Sequence, residues 1–187
     1  KSVSAPVYDA PDVISDCLAK RSIANLDRIQ FLSLICPGPF LEIRFIYRDR
    51  TAGRRGEQRF LASVKELDWS EVERMNAAGF NAYYGVGARK NNMDGTKDGV
   101  KEIRALWVDL DAKDFDPSDL IKGKDQAFLT LSEQLPVHLQ PSVVVDSGGG
   151  YHAYWLLQAP FDVTRVEARA QAEAAMVCFA RLRAGRF

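Results

Sequence analysis

Residues 141–157 read PSVVVDSGGGYHAYWLL, three valines before three glycines and an aromatic, aliphatic run after them. β-Branched and aromatic residues on both sides of a glycine cluster predict two strands joined by a tight turn. Consecutive glycines carry a large backbone entropy cost, so the turn needs a reason. On the second limb, strand alternation puts His152 and Tyr154 on one face and Tyr151, Ala153 and Trp155 on the other, so His152 need not be a core residue. One reason for the glycines is chemical: successive uncovered N–H groups over Ser147, Gly148, Gly149 and Gly150 make a nest for phosphate oxygens, with His152 one step beyond as a further donor. The competing reason is conformational, a hairpin turn that requires positive φ with His152 in a half-buried sheet position.

Upstream, residues 104–111 read RALWVDLD. As a strand this places Leu106, Val108 and Leu110 towards a core, with Trp107, Asp109 and Asp111 on the opposite face. Backbone positions two apart along a strand are separated by about 7 Å, close enough for the two carboxylates to converge on shared ions. Hard oxygen ligands of this kind suit Mg2+ or Mn2+, the ions that clamp attacking and leaving oxygens in phosphoryl transfer. Nothing basic is expected to neutralise the pair. The plainer alternative is that the aspartates mark the exposed end of the strand. Asp114 and Asp116 are read as helix-start and capping residues.

The rest of the chain builds outward from these two strands. Residues 10–35 repeat Val13, Cys17, Ile23, Leu26, Ile29 and Leu32 at near-helical spacing. Residues 41–47 predict a strand, the arginine-rich turn with Gly53 and Gly56 follows, and 58–64 return as its partner. Residues 68–78 predict a helix capped by Asp68 or Ser70 and stopped by Gly79. A strand at 80–87 and a polar loop lead into the acidic strand. Asp116 before Pro117 predicts the start of a helix running towards Leu135. Val163, Val166, Ala170, Ala174 and Val177 are expected to form the buried face of a last helix. Helices alternating with pairs of strands favour an α+β fold with a mixed or antiparallel sheet over a doubly wound parallel one.

Nearly half of the 187 residues are apolar, enough for one proper core. The 25 basic and 25 acidic residues cancel, so a polyanion must be held by a local patch. Residues 44–59, RFIYRDRTAGRRGEQR, carry six arginines against Asp49 and Glu57. Arg50, Arg54 and Arg55 at the turn are the candidate nucleic-acid contacts, against a solvated hairpin as the alternative. Cys17, Cys36 and Cys178 are few and widely spaced, which indicates neither a disulfide framework nor a zinc site and fits a cytoplasmic protein. No apolar run approaches a membrane span. There is no GxxxxGK[ST], and the glycines lie between two strands, so neither a P-loop nor a Rossmann turn is formed.

NAYYGVGAR at 81–89, WVDLD at 107–111 and VVVDSGGGYHAYW at 143–155, in that order, resemble the archaeo-eukaryotic primase superfamily, in particular the primase-polymerases of phages and plasmids with RepB-like catalytic domains. The resemblance spans residues 81–157. It implies an RRM-like catalytic sheet flanked by helices over 81–187 and a smaller N-terminal α/β unit over 1–80, together one catalytic domain at 1–187. It implies Asp109, Asp111 and His152 as catalytic, the two aspartates as ligands of Mg2+ or Mn2+, and Ser147, Gly148, Gly149, Gly150 and His152 around an incoming NTP or dNTP. Arg89 matches a recurrent arginine placed on phosphate or template. The implied function is a nucleotidyltransferase, a DNA primase and polymerase of a mobile element, working on single-stranded DNA and associated with a replicative helicase.

Two departures stand out. Gly150 occupies the place where the family often has a serine, two residues before the histidine. The family's third carboxylate lies on a strand after the last helix, so it is expected beyond Phe187. A rival reading is a non-catalytic single-stranded nucleic-acid-binding module with a degenerate nucleotide site, using the arginine hairpin with Tyr83, Tyr84 and Tyr154 as base contacts. A cyclase-like enzyme acting on one triphosphate without a template is the third.

Overall fold

The computed structural model describes residues 26–36 and 38–180, and the reading of a helix over 10–25 lies outside them. The chain divides into two compact units, Ala24–Ala105 with Pro160–Arg169, and a second whose described part is Leu106–Ala159 with 170–180.

The first unit begins with α1 (Arg28–Ile35), where Asp27 accepts from the Ile29 and Gln30 amides in a capping box. Strands β1 (Leu41–Tyr47), β2 (Glu57–Leu61) and β3 (Phe80–Tyr84) form an antiparallel sheet in the order β2-β1-β3. Alternation along β1 buries Leu41, Ile43 and Phe45 with Phe31, Leu32, Ile35, Val64 and Met75 in the apolar core of this unit. Between β2 and β3, α2 (Trp69–Ala77) starts at Asp68, whose carboxylate accepts from the Ser70 amide, and stops at Gly79 with φ 92°. The short β4 (Ala88–Arg89) pairs antiparallel with β5 (Val100–Asp111), which starts four residues ahead of the alternating run at 104–111.

In the second unit β5 ends in the short α3 (Ala112–Phe115), followed by α4 (Leu120–Leu129), the hairpin β6 (Val143–Asp146) and β7 (Gly150–Asp162), and α5 (Val166–Ala180). The sheet order is β4-β5-β7-β6. β7 runs antiparallel to β5, because Gly150 lies against Leu110 while Val163, just past the other end of β7, donates to the Lys101 carbonyl. In the strand–helix–strand–strand segment the first strand therefore neighbours the third, and the third the second, as in an RRM sheet. The fold is α+β, with antiparallel sheets flanked by helices. Trp155 is fully buried; it stacks on Phe179 of α5 at 4.4 Å between ring centroids and donates its indole N–H to the Leu139 carbonyl. A ring of this size removes about 150–250 Å² from water, worth several kcal/mol at about 25 cal/mol per Å².

Three local expectations are corrected. α4 starts at Leu120 and not at Pro117: Asp119 accepts from the Ile121 and Lys122 amides, and the Asp116 carboxylate closes a preceding turn by accepting from Ser118 and Asp119. Two aspartates three residues apart can both cap, and the later one does. The inward face of α5 carries Ala172, Ala175, Met176 and Phe179, while Val166, Ala170, Ala174 and Val177 are exposed. Alanine on every side of this helix gives its pattern no direction. Tyr154, proposed as a base contact, is buried within the sheet and has no face to offer a base. Among the described residues no helix is long and apolar enough to cross a membrane. Cys36 is buried, which pushes its thiol up to about 11, and Cys178 is exposed; Cys17 lies outside the described residues.

Candidate active site

The acidic strand delivers its side chains as the alternation requires. Leu106, Val108 and Leu110 are buried, and Asp109 and Asp111 are 37% and 33% exposed. β7 lies beside β5, and His152 comes from it to the same place, with Nε2 3.5 Å from Asp109 Oδ1. The imidazole sits edge-on to the buried Tyr154 ring at 6.5 Å between centroids. Asp111 is not left unbalanced, contrary to the expectation for this pair: Lys113 Nζ lies 2.7 Å from its Oδ2, and that bond raises the lysine's pKa. Lys113 follows Asp111 by two residues, so the partner was within reach of the sequence. Two ionised carboxylates two positions apart repel, and one adjoining ammonium relieves part of that cost.

The three glycines answer three different needs. Gly148 has φ 86°, and its N–H donates to Asp146 Oδ1 at 2.8 Å. Gly150 is buried against β5, where a side chain would collide with the Leu110 carbonyl oxygen and lie 3.0 Å from Asp111 Cα. Gly149 has neither constraint: its φ is not positive and an added Cβ meets nothing within 4 Å. Its carbonyl accepts from the Ala112 amide at 2.9 Å, which ties the turn to the end of the acidic strand. Its own N–H has no protein partner among the described residues. Ser147 is exposed, and its amide donates to the Gly150 carbonyl at 3.1 Å.

This division makes a stability prediction. Gly150→Ala should destabilise the chain by about 1–3 kcal/mol, the usual cost of forcing atoms into a filled space, whereas Gly149→Ala should be neutral or gain about 0.4–1 kcal/mol through the unfolded state. Urea denaturation of the two variants checks it, and equal effects would mean that the strand contact is not what selects glycine at 150.

Lys124 of α4 was not visible in the sequence as a site residue. Its Nζ lies 2.8 and 2.9 Å from the two Asp146 carboxylate oxygens and 3.3 Å from the Gly148 carbonyl oxygen, with the Tyr151 ring 5.4 Å away. The ammonium, and then the Gly148 amide, hold the Asp146 carboxyl below its usual range.

Arg89 belongs to the first unit and is buried. Its guanidinium pairs with Glu42 and donates to the Thr96 carbonyl at 2.5 Å, leaving Nε without a partner among the described residues. Glu42 is 1% exposed and also receives Arg44 Nε and Gln58 Nε2, while Arg44 reaches the Gly95 carbonyl. One buried carboxylate thus anchors two arginines that pin the loop between β4 and β5. The sequence separations, 47 residues between Glu42 and Arg89, left no local signal. Of the hairpin arginines, Arg44, Arg48 and Arg59 are bonded to Glu42, to Asn76 and Asn81, and to Glu57 and Glu71. Arg54 stacks on the Tyr47 ring at 4.8 Å, and Arg55 is exposed. Arg50 opens a short 3-10 turn whose start is capped by Asp49.

The donor set suits a hard divalent ion: two carboxylates on one strand face, each about one-third exposed. Among the described residues, no group of three or more His, Cys, Asp or Glu side chains is arranged to hold a metal.

No family model matches the sequence, and no curated protein matches it. A solved structure does: the AEP domain of the primase-polymerase (PrimPol) of cyanophage S-2L, with a TM-score of 0.51, 22% identity, and 79% of this chain and 70% of that chain covered. At that identity the likeness is one of fold alone.

Proposed function

We propose that this chain is a primase-polymerase catalytic domain of the archaeo-eukaryotic primase superfamily, joining nucleotides on a single-stranded DNA template in the replication of a phage, plasmid or other mobile element. The observation that carries the reading is the convergence of Asp109 and His152 from neighbouring strands, beside Asp111 and a glycine turn with an open amide. The fold likeness supports it at the level of architecture.

Asp109 and Asp111 would hold Mg2+ or Mn2+, which when bound supplies positive charge for the α-phosphate under attack. The Gly149 N–H, which has no protein partner among the described residues, donates to a phosphate oxygen of the incoming nucleoside triphosphate. His152 donates to the same triphosphate and is kept in place by the sheet beneath it. In the joining step the primer's 3′ hydroxyl gives up its proton to solvent, its oxygen bonds to the α-phosphorus, the bond from that phosphorus to the bridging oxygen breaks, and pyrophosphate leaves. A fixed arrangement of donors lowers the barrier because it is ready before charge develops. Arg50, Arg54 and Arg55 are assigned to the template strand, and Arg89 with Glu42 holds the loop of its own unit.

A second reading, the non-catalytic single-strand binder, is favoured by the Lys113 contact to Asp111 and by the lack of a third metal-type ligand among the described residues. The deciding experiment is incorporation of labelled nucleotides with Mn2+, with and without single-stranded DNA. Product that depends on template supports the primase-polymerase. Strand binding without product would overturn it in favour of the binder, and product without template would point to a cyclase-like enzyme.

A further inference from the structure

We infer that Lys124 is a positioning residue for nucleotide binding, acting by orienting the Gly149 N–H. The inference rests on the reading of the glycine turn as a phosphate site, and adds to it a residue from a different element.

The geometry runs through a single peptide unit. Gly148 C=O and Gly149 N–H belong to the same planar, trans peptide and so point in opposite directions. Lys124 Nζ lies 3.3 Å from that carbonyl oxygen and holds it on the α4 side. The other end of Gly148 is fixed as well, since its N–H donates to Asp146 Oδ1, and Asp146 is itself held by both of its oxygens on Lys124. One ammonium therefore fixes the Gly148 residue at both ends and directs the Gly149 N–H away from α4. The other bonds of the turn, from the Ala112 amide to the Gly149 carbonyl and from the Ser147 amide to the Gly150 carbonyl, fix its far side and leave the Gly148–Gly149 peptide to Lys124 among the described residues. Gly148 and Gly149 are unhindered by neighbouring atoms, and free glycine peptides readily rotate. Lys124 is itself restrained, being 26% exposed and resting near the Tyr151 ring, which packs on Phe128 of the same helix at 5.7 Å between centroids.

The role is one of orientation, so losing the ammonium should weaken nucleotide binding and leave the chemical step alone. With Lys124→Met, the KM for nucleotide should rise about tenfold, the size of one charge-assisted hydrogen bond, with kcat within about twofold. Lys124→Arg, which can still engage both Asp146 oxygens, should recover most of the loss. Asp146→Asn should act in the same direction as Lys124→Met, and the double variant should be no worse than either single one, because the two side chains work as a unit.

A direct readout uses amide NMR of the 15N-labelled chain titrated with α,β-methylene ATP and its deoxy counterpart in Mg2+. In the unaltered chain the Gly149 amide should shift on titration. In Lys124→Met that shift should shrink, and Gly149 hydrogen exchange in the nucleotide-free protein should change. If Gly149 does not respond in the unaltered chain, the phosphate reading of the turn fails. A Gly149 response of the same size in Lys124→Met, with KM unchanged, overturns the role of Lys124 alone.

Discussion

Replacing Asp109 and Asp111 together by asparagine is expected to lower template-directed incorporation by at least about a hundredfold, the range seen when one preorganised electrostatic group is removed from an active site. The fold should survive the change. Both side chains lie on the solvent-facing side of β5, the core-facing residues Leu106, Val108 and Leu110 are untouched, and asparagine keeps the shape of each side chain. Removing two like charges also removes their mutual repulsion, part of which Lys113 relieves through its contact with Asp111. The melting temperature should therefore stay level or rise. The single variants separate the roles: Asp111→Asn frees Lys113, and Asp109→Asn leaves His152 without the carboxylate 3.5 Å away. Full incorporation by the double variant would show that these carboxylates do not hold the catalytic ion. A large drop in melting temperature would show that they serve the fold.

Glu42→Ala should cost about 3–5 kcal/mol of stability, the penalty for leaving a buried charge without its partner. Arg89 is the group left behind. Its guanidinium is buried with Nε already unpaired, and Thr96 offers it only a neutral carbonyl. Arg44 and Gln58 lose the same acceptor, so the loop that crosses them loses its anchor at Gly95 as well. Glu42→Gln should cost less, since the amide oxygen still accepts from Arg89. The pair Glu42→Leu with Arg89→Met should recover most of the loss, because replacing both charges by apolar groups of similar volume is often close to neutral. Urea denaturation of the unaltered chain and the three variants measures each loss. A loss under about 1 kcal/mol for Glu42→Ala would mean that water or another residue takes over the guanidinium.

What could be read in advance was local. The period of two along residues 104–111 assigned each side chain of the acidic strand to its face, because a buried strand with polar residues at alternate places leaves one solution. Asp68 and Gly79 bounded α2 for the same kind of reason, a cap and a left-handed stop acting over a few residues. The start of α4 was missed where two capping aspartates compete, and the inward face of α5 where alanine removes the contrast between sides. The pairs that join distant parts of the sequence were the least legible. Lys124 meets Asp146 across 22 residues and Arg89 meets Glu42 across 47, distances over which spacing carries no information. The glycines were legible as a turn, but the different reason at each position depends on what β5 and Asp146 place beside them.

The bond from the Ala112 amide to the Gly149 carbonyl is made by the main chain alone. Any residue but proline at 112 supplies the same donor, and any residue at 149 the same acceptor. The spacing between the acidic strand and the turn is therefore insulated from drift in the side chains around it. A carboxylate of the acidic strand can therefore be lost and restored by single substitutions without disturbing the bond that sets the turn beside it.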